Sequence, residues 1–493
     1  MKEQILQPVA DVWRRHCAAL GDALAETIDG LDNLVRLDEF HRHGRDPDRL
    51  ESALGPLAAA SLDVGALSQA LGKSTRSRAM APERLARVQE LIPKLRQLKE
   101  AWSHVSLDHA LVELGTSPED ALAQAEAHFN QLGQVFRAVR IAQLEIRSKY
   151  DAQTHDAAFA NFDWRQLGPG ELRTSPPFLV IARLDGGDGG QLRNVMALLE
   201  TCMPIKVLAL RTSVRDVVSG AGGTTVPSKM TIETLPLAMR GVYLLQTHWA
   251  AAGFEAQLAQ ALTGPRPAVI SVFCPRKDEA EQAFQTRAAR AVRARAVPMC
   301  VYDPDRNDRF VMCFDLSANP STDALWSTDK LTGRDSLGEP IEVDEPFTLA
   351  HFAASEPELA SEFSEPPEHT DALVPLSDFL RLSRHQQMGK LPFVWLAAQD
   401  GTVVRKVVSR TMASRCAERL HLWQTLQEIS GIDNPYVNAT RATLQKELGA
   451  ERDAQLASLR QSLEKDAAGR ERAAVASAVR KLVARLTGIE PQN

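Results

Sequence analysis

Between Phe178 and Asp303 the chain reads FLVIARL (178–184), IKVLAL (205–210), GVYLLQ (241–246), AVISVF (268–273) and MCVYD (299–303). Each is a short apolar run, and the stretches between them are long enough to hold helices. Strand–helix alternation of this kind predicts an α/β fold on a doubly wound parallel sheet. GGDGG (186–190) follows the first run, and RTSVRDVVSGAGGTTVPSKMT (211–231) follows the second. Such sheets take ligands at the carboxyl ends of their strands, where glycine lets backbone N–H groups approach a phosphate. These two loops are where a diphosphate would sit.

Bulk properties narrow the choice of partner. Net charge is −6 over 493 residues, and aromatic residues make up 5%. Neither a basic field nor a base-stacking surface is expected, which argues against nucleic acid. No apolar run reaches the roughly 18 to 20 residues that a membrane span takes. The opening MKEQILQPVADVWRRH lacks the apolar centre of a signal peptide. Six cysteines are scattered without a CxxC pair, which predicts a reducing, cytoplasmic setting and no iron–sulfur cluster in this chain.

Four regions are expected: a helical region over 1–160, the α/β domain over 178–320, an irregular acidic linker over 321–375, and a hairpin with C-terminal helices over 376–493. The linker reading rests on 342–371, which holds nine acids, four prolines and no Lys or Arg. Asp400-Gly401, between two alternating apolar runs, predicts a hairpin. Arg287, Arg290, Arg293 and Arg295 (in RAARAVRARAV, 287–297) read as a solvated face or as the partner of an acidic surface. Val475, Val479, Leu482, Val483 and Leu486 form one helical stripe, suited to a partner or to the chain's own hairpin region. His41–His43 suggest either a metal or, as the favoured reading, a solvated turn; His248, Arg183 and Asp185 stand where a ligand could be contacted, with capping or packing favoured; Cys274 reads as a buried small hydrophobe.

From the glycine-rich loop onward the chain resembles the thiamine-diphosphate domain of pyruvate:ferredoxin oxidoreductases and related 2-oxoacid oxidoreductases. GGDGGQLRNVM, the strand IKVLAL and TSVRDVVSGAGGTTVPSKMT follow the order of that family's GGDGW, GGLDHVL and TEVYSNTGGQxSKAT segments. LAQALTGPRPAVISVFCP and RAARAVRARAVPMCVYDP resemble its later segments. The likeness covers roughly 178–320. It implies a diphosphate site at Asp188, Gly189, Gly222, Gly223, Ser228 and Lys229, with Asp188 as the metal ligand.

The departures shape the functional expectation. The family's metal-binding Asn falls on Gly220, which has no side-chain oxygen. Its GDG and GGLDHVL segments are merged here into one GGDGG, and nothing in 1–150 resembles its CxGCGE-bearing half. The resemblance therefore implies a degenerate subunit of an oxidoreductase complex, non-catalytic on its own, with protein subunits as partners. No cofactor is expected on the isolated chain. The alternative is an active subunit with thiamine diphosphate and Mg²⁺, completed by another chain.

Overall fold

A computed structural model of the chain describes residues 2–44, 46–55, 61–74, 79–184, 189–214, 231–335, 338–367, 370–398 and 400–487. They fall into two compact units, 1–425 and 426–493. The fold is mixed α/β with a parallel-rich sheet.

The first unit opens with helix α1 (Lys2–His43), followed after two shorter helices by α2 (Pro82–Ser103) and then α3 (Glu119–Ile146). Pro82 starts α2, where its missing N–H costs nothing. Val88, Leu91, Ile92 and Leu95 recur at helical spacing and are buried. Glu119 and Asp120 sit in the first turn of α3, where its dipole favours negative charge. Glu145 of α3, 1% exposed, accepts from Arg84 at 2.9 Å and Arg87 at 2.6 Å, tying α3 to α2.

The helical region also holds a strand. β1 (Leu111–Glu113) pairs in parallel with β2 (Leu179–Arg183). A three-residue run carries too little periodicity to separate it from the flanking helices. The main sheet continues through helix α4 (Gly189–Glu200), β3 (Lys206–Arg211), β4 (Tyr243–His248), helix α5 (Phe254–Thr263), β5 (Ala268–Phe273), helix α6 (Glu281–Arg293), β6 (Cys300–Tyr302) and β7 (Phe314–Asp315). Strand order is β1-β2-β3-β5-β4-β6-β7. All residues of β3 and β5 are buried, as expected of central strands covered on both faces. Even Lys206 is inside. Its Nζ donates to Gly264 O at 2.7 Å and to Arg266 O, while burial lowers its pKa to about 7.

All five apolar runs form strands, but the fifth runs the other way. β6 is antiparallel to β4, with Cys300 opposite Gln246 and Tyr302 opposite Leu244. The cause is α6. Arg287 fastens this helix to the carboxyl ends of β3 and β5 through Thr212 O and Cys274 O, so the chain re-enters the sheet from that edge.

The acidic linker is corrected more strongly. Residues 321–375 form the hairpin β8 (Thr328–Arg334) and β9 (Pro340–Pro346), helix α7 (Leu349–Ala353), a 3-10 turn, β10 (Phe363–Ser364) and β11 (Leu373–Pro375). Phe347, Leu349, Phe352 and Leu359 join the core that holds Phe273 and Phe284. The acids are accommodated because cations meet them: Arg276 binds Glu356, and Arg293 binds Asp329. Beyond lie β12 (Leu391–Ala397) and β13 (Val403–Val408), antiparallel as expected, with Gly401 at φ 81° in their turn. Helix α8 (Arg410–Ile429) follows.

The second unit consists of the last residues of α8 and helix α9 (Pro435–Thr487). Asn434 caps α9 by accepting from Tyr436 N at 3.1 Å and Val437 N at 3.2 Å. No helix among the described residues is long and apolar enough to cross a membrane.

One buried histidine yields a prediction. His128 lies among Trp102, Phe129 and Phe178, with Nε2 3.0 Å from Pro176 O, and burial lowers its pKa to about 4. Folded His128 stays neutral where the unfolded chain binds a proton. Its contribution therefore holds above pH about 6.5 and is lost as pH falls toward 4, by on the order of 3 kcal/mol. Urea midpoints of wild type and His128→Gln across that range should show a weaker pH dependence in the variant.

Candidate functional site at the carboxyl edge

Parallel strands β2, β3, β4 and β5 present their carboxyl ends on one side of the sheet. Of the sequence-predicted site residues, Gly189 opens α4 just beyond β2. Asp188, Gly222, Gly223, Ser228 and Lys229 lie outside the described residues, as do Asp185 and Gly220.

The described part of this edge is a charged network. Arg211, the last residue of β3 and 2% exposed, pairs with Glu233 of the 3-10 turn Ile232–Thr234. Ser271 of β5 donates to the same carboxylate at 2.7 Å. Burial alone would raise the Glu233 pKa, but Arg211, Ser271 and Arg419 outweigh it and hold it below the usual range.

A second cluster follows β5. Arg287 grips Glu279 with two bonds of 2.7 Å, the planar fork-to-carboxylate geometry that lysine cannot copy. The same guanidinium donates to Thr212 O at 3.1 Å and Cys274 O at 3.2 Å, and lies 4.5 Å over the Phe273 ring. Arg276 pairs with Glu356 and stands 3.9 Å from Glu358, which accepts from Ser213. Glu356 is 1% exposed, and burial raises its pKa despite Arg276 and Arg287. Its Oε1 makes no hydrogen bond among the described residues. Carboxylates of the chain itself thus stand against the ends of β3 and β5, and an approaching phosphate would meet their charge.

The remaining candidates differ in their settings. His248 ends β4 half-buried, and burial lowers its pKa. Cys274 is buried, with Sγ donating to Val272 O at 3.3 Å. Arg183 pairs with Glu113 at 3.3 Å on the surface. His41–His43 form the last turn of α1 rather than a loop. The four flagged arginines do not form a solvated face. Besides the contacts of Arg287, Arg290 donates to His351 O at 3.2 Å, Arg293 pairs with Asp329, and Arg295 donates to Pro320 O and Ser321 O.

Sequence reading missed Arg211, Glu233, Arg276, Glu279, Glu356 and Glu358. The available signal was the basic run of α6 set against the acidic run of 342–371, two complementary segments in one chain. No protein-family model matches the sequence, and no curated protein matches it.

Removing Arg287 would leave Glu279 partly buried without its fork. Arg287→Ala should lower unfolding free energy by about 3–5 kcal/mol, measured by urea denaturation of the full chain. Arg287→Lys should recover only part of the loss.

Proposed function

We propose that the chain is a degenerate relative of the cofactor domain of 2-oxoacid:ferredoxin oxidoreductases, acting as a structural or regulatory subunit of an oxidoreductase complex. Support comes from the ordered motifs over 178–320 and from the parallel strands they supply. The observation that carries the non-catalytic reading is at the carboxyl edge. Glu356 and Glu358 occupy Arg276 and Ser213 beside the ends of β5 and β3. A diphosphate there would displace those pairs or accept their repulsion, and each choice costs binding energy. Gly220 adds the loss of a metal ligand at the sequence level. In this reading the α/β unit keeps the shape that fits a larger assembly and has given up independent chemistry.

Calorimetric titration of the isolated protein with thiamine diphosphate and Mg²⁺ tests the reading. No saturable binding at about 10 µM or tighter, worth roughly 7 kcal/mol, is expected. Binding in that range would overturn it. Gly220→Asn alone should not create a site. Anaerobically purified protein should contain no stoichiometric iron and show no cluster absorption. Cys274, just beyond β5, has its thiol bonded to the backbone, and no CxxC pair exists to build a four-thiolate site.

A further inference from the structure

A cavity of about 140 Å³ opens where β4 and β5 begin, at the edge opposite the carboxyl ends of the parallel strands. Several elements converge on it. β4 supplies its first residue, Tyr243, and the last turn of α5 supplies Gln260 and Thr263. Because β6 runs antiparallel to β4, its exit brings Asp303 to the same edge. The short helix Pro169–Thr174 adds Arg173. One wall, the turn between α5 and β5, is fixed by Lys206, whose Nζ donates to Gly264 O at 2.7 Å and to Arg266 O. Arg266 is neutralised in turn by Asp305, Nε to Oδ1 at 2.6 Å.

Three polar groups of the lining are left without such partners. Arg173 is exposed and has no carboxylate among the described residues. Asp303 accepts from Asp305 N at 2.9 Å but has no cation there. Tyr243 is 7% exposed, yet its hydroxyl makes no hydrogen bond among the described residues; burial, and then the Asp303 charge, raise its pKa. A phenol this buried ordinarily has its hydroxyl bonded. A lone anion in the cavity would meet the charge of Asp303, and a lone cation that of Arg173. A ligand carrying both charges satisfies both.

We propose that this cavity binds a free α-amino acid, with its carboxylate on Arg173, its ammonium on Asp303 and the Tyr243 hydroxyl bonded to the ligand between them. Arg173 offers the planar fork that fits a carboxylate. A water-sized group needs roughly 10–15 Å³, so the cavity takes about ten of them, the size of a small amino acid. Gln260 and Thr263 line the remaining wall and favour a short polar side chain on the ligand. The site lies away from the carboxyl edge and does not rest on the oxidoreductase reading.

Calorimetric titration of the full chain with L-serine, L-asparagine and L-glutamine tests the proposal. At least one of the three should bind saturably with Kd of about 1 mM or tighter. Propionate and ethylamine, which each carry one of the two charges, should bind at least about tenfold more weakly. Arg173→Ala and Asp303→Asn should each weaken the amino acid by about tenfold or more. Both should keep the wild-type melting temperature, since Arg173 is exposed and asparagine retains an acceptor for Asp305 N. No saturation by any of the three at about 10 mM, propionate binding as tightly as the amino acid, or undiminished affinity in either variant would overturn the proposal.

Discussion

The guanidinium of Arg287 holds together parts of the chain that are otherwise remote. It grips Glu279, reaches the backbone beyond β3 and β5, and lies on the Phe273 and Phe284 rings. A charge this deep is tolerated only when its hydrogen bonds are satisfied, and here backbone and carboxylate share the task. Because α6 is fixed at the carboxyl edge, β6 must enter antiparallel to β4. The next arginines, Arg290 and Arg293 on the helix and Arg295 just beyond it, then hold the elements that follow. Arg290 and Arg293 both lie over the Phe347 ring, and Arg295 lies 3.8 Å over Trp423. One basic helix thereby joins the sheet to the elements that follow it.

The consequence for function is local. The carboxyl edge of a parallel sheet is ordinarily its ligand-binding edge. Here the segment held by α6 brings Glu356 and Glu358 to that edge, beside Arg276 and Ser213. The interactions that complete the fold therefore also load the edge with negative charge. The proposed loss of catalysis needs no disrupted strand, only an arginine-rich helix and an acidic segment that meet each other.

Much of the fold was legible because it depends on local pattern. The five apolar runs became strands, Asp400-Gly401 turned a hairpin, and the mixed-charge tail became a helix. What escaped depends on distant pairing. The direction of β6 is set by bonds between Arg287 and two loops that no local window contains. The acids of 342–371 suggested a solvated linker because their cations lie elsewhere in the chain, while Phe347, Leu349 and Phe352 were outnumbered in composition yet decisive in packing. For the site, the glycine-rich loops drew attention by motif. Glu233, Glu356 and Glu358 carry no motif and become visible only once the strand ends are brought together.

The central claim is that the carboxyl edge is closed by the chain's own ion pairs. Hydrogen exchange read by mass spectrometry tests it directly, with attention to 274–279. The amides there should be protected in the isolated protein, since Cys274 N donates to Arg211 O at 2.8 Å, Arg276 N to Glu279 at 2.8 Å and Glu279 N to Arg276 O at 3.2 Å. Adding thiamine diphosphate with Mg²⁺ should leave their exchange unchanged. Rapid exchange without ligand, or new protection on adding it, would contradict a closed edge.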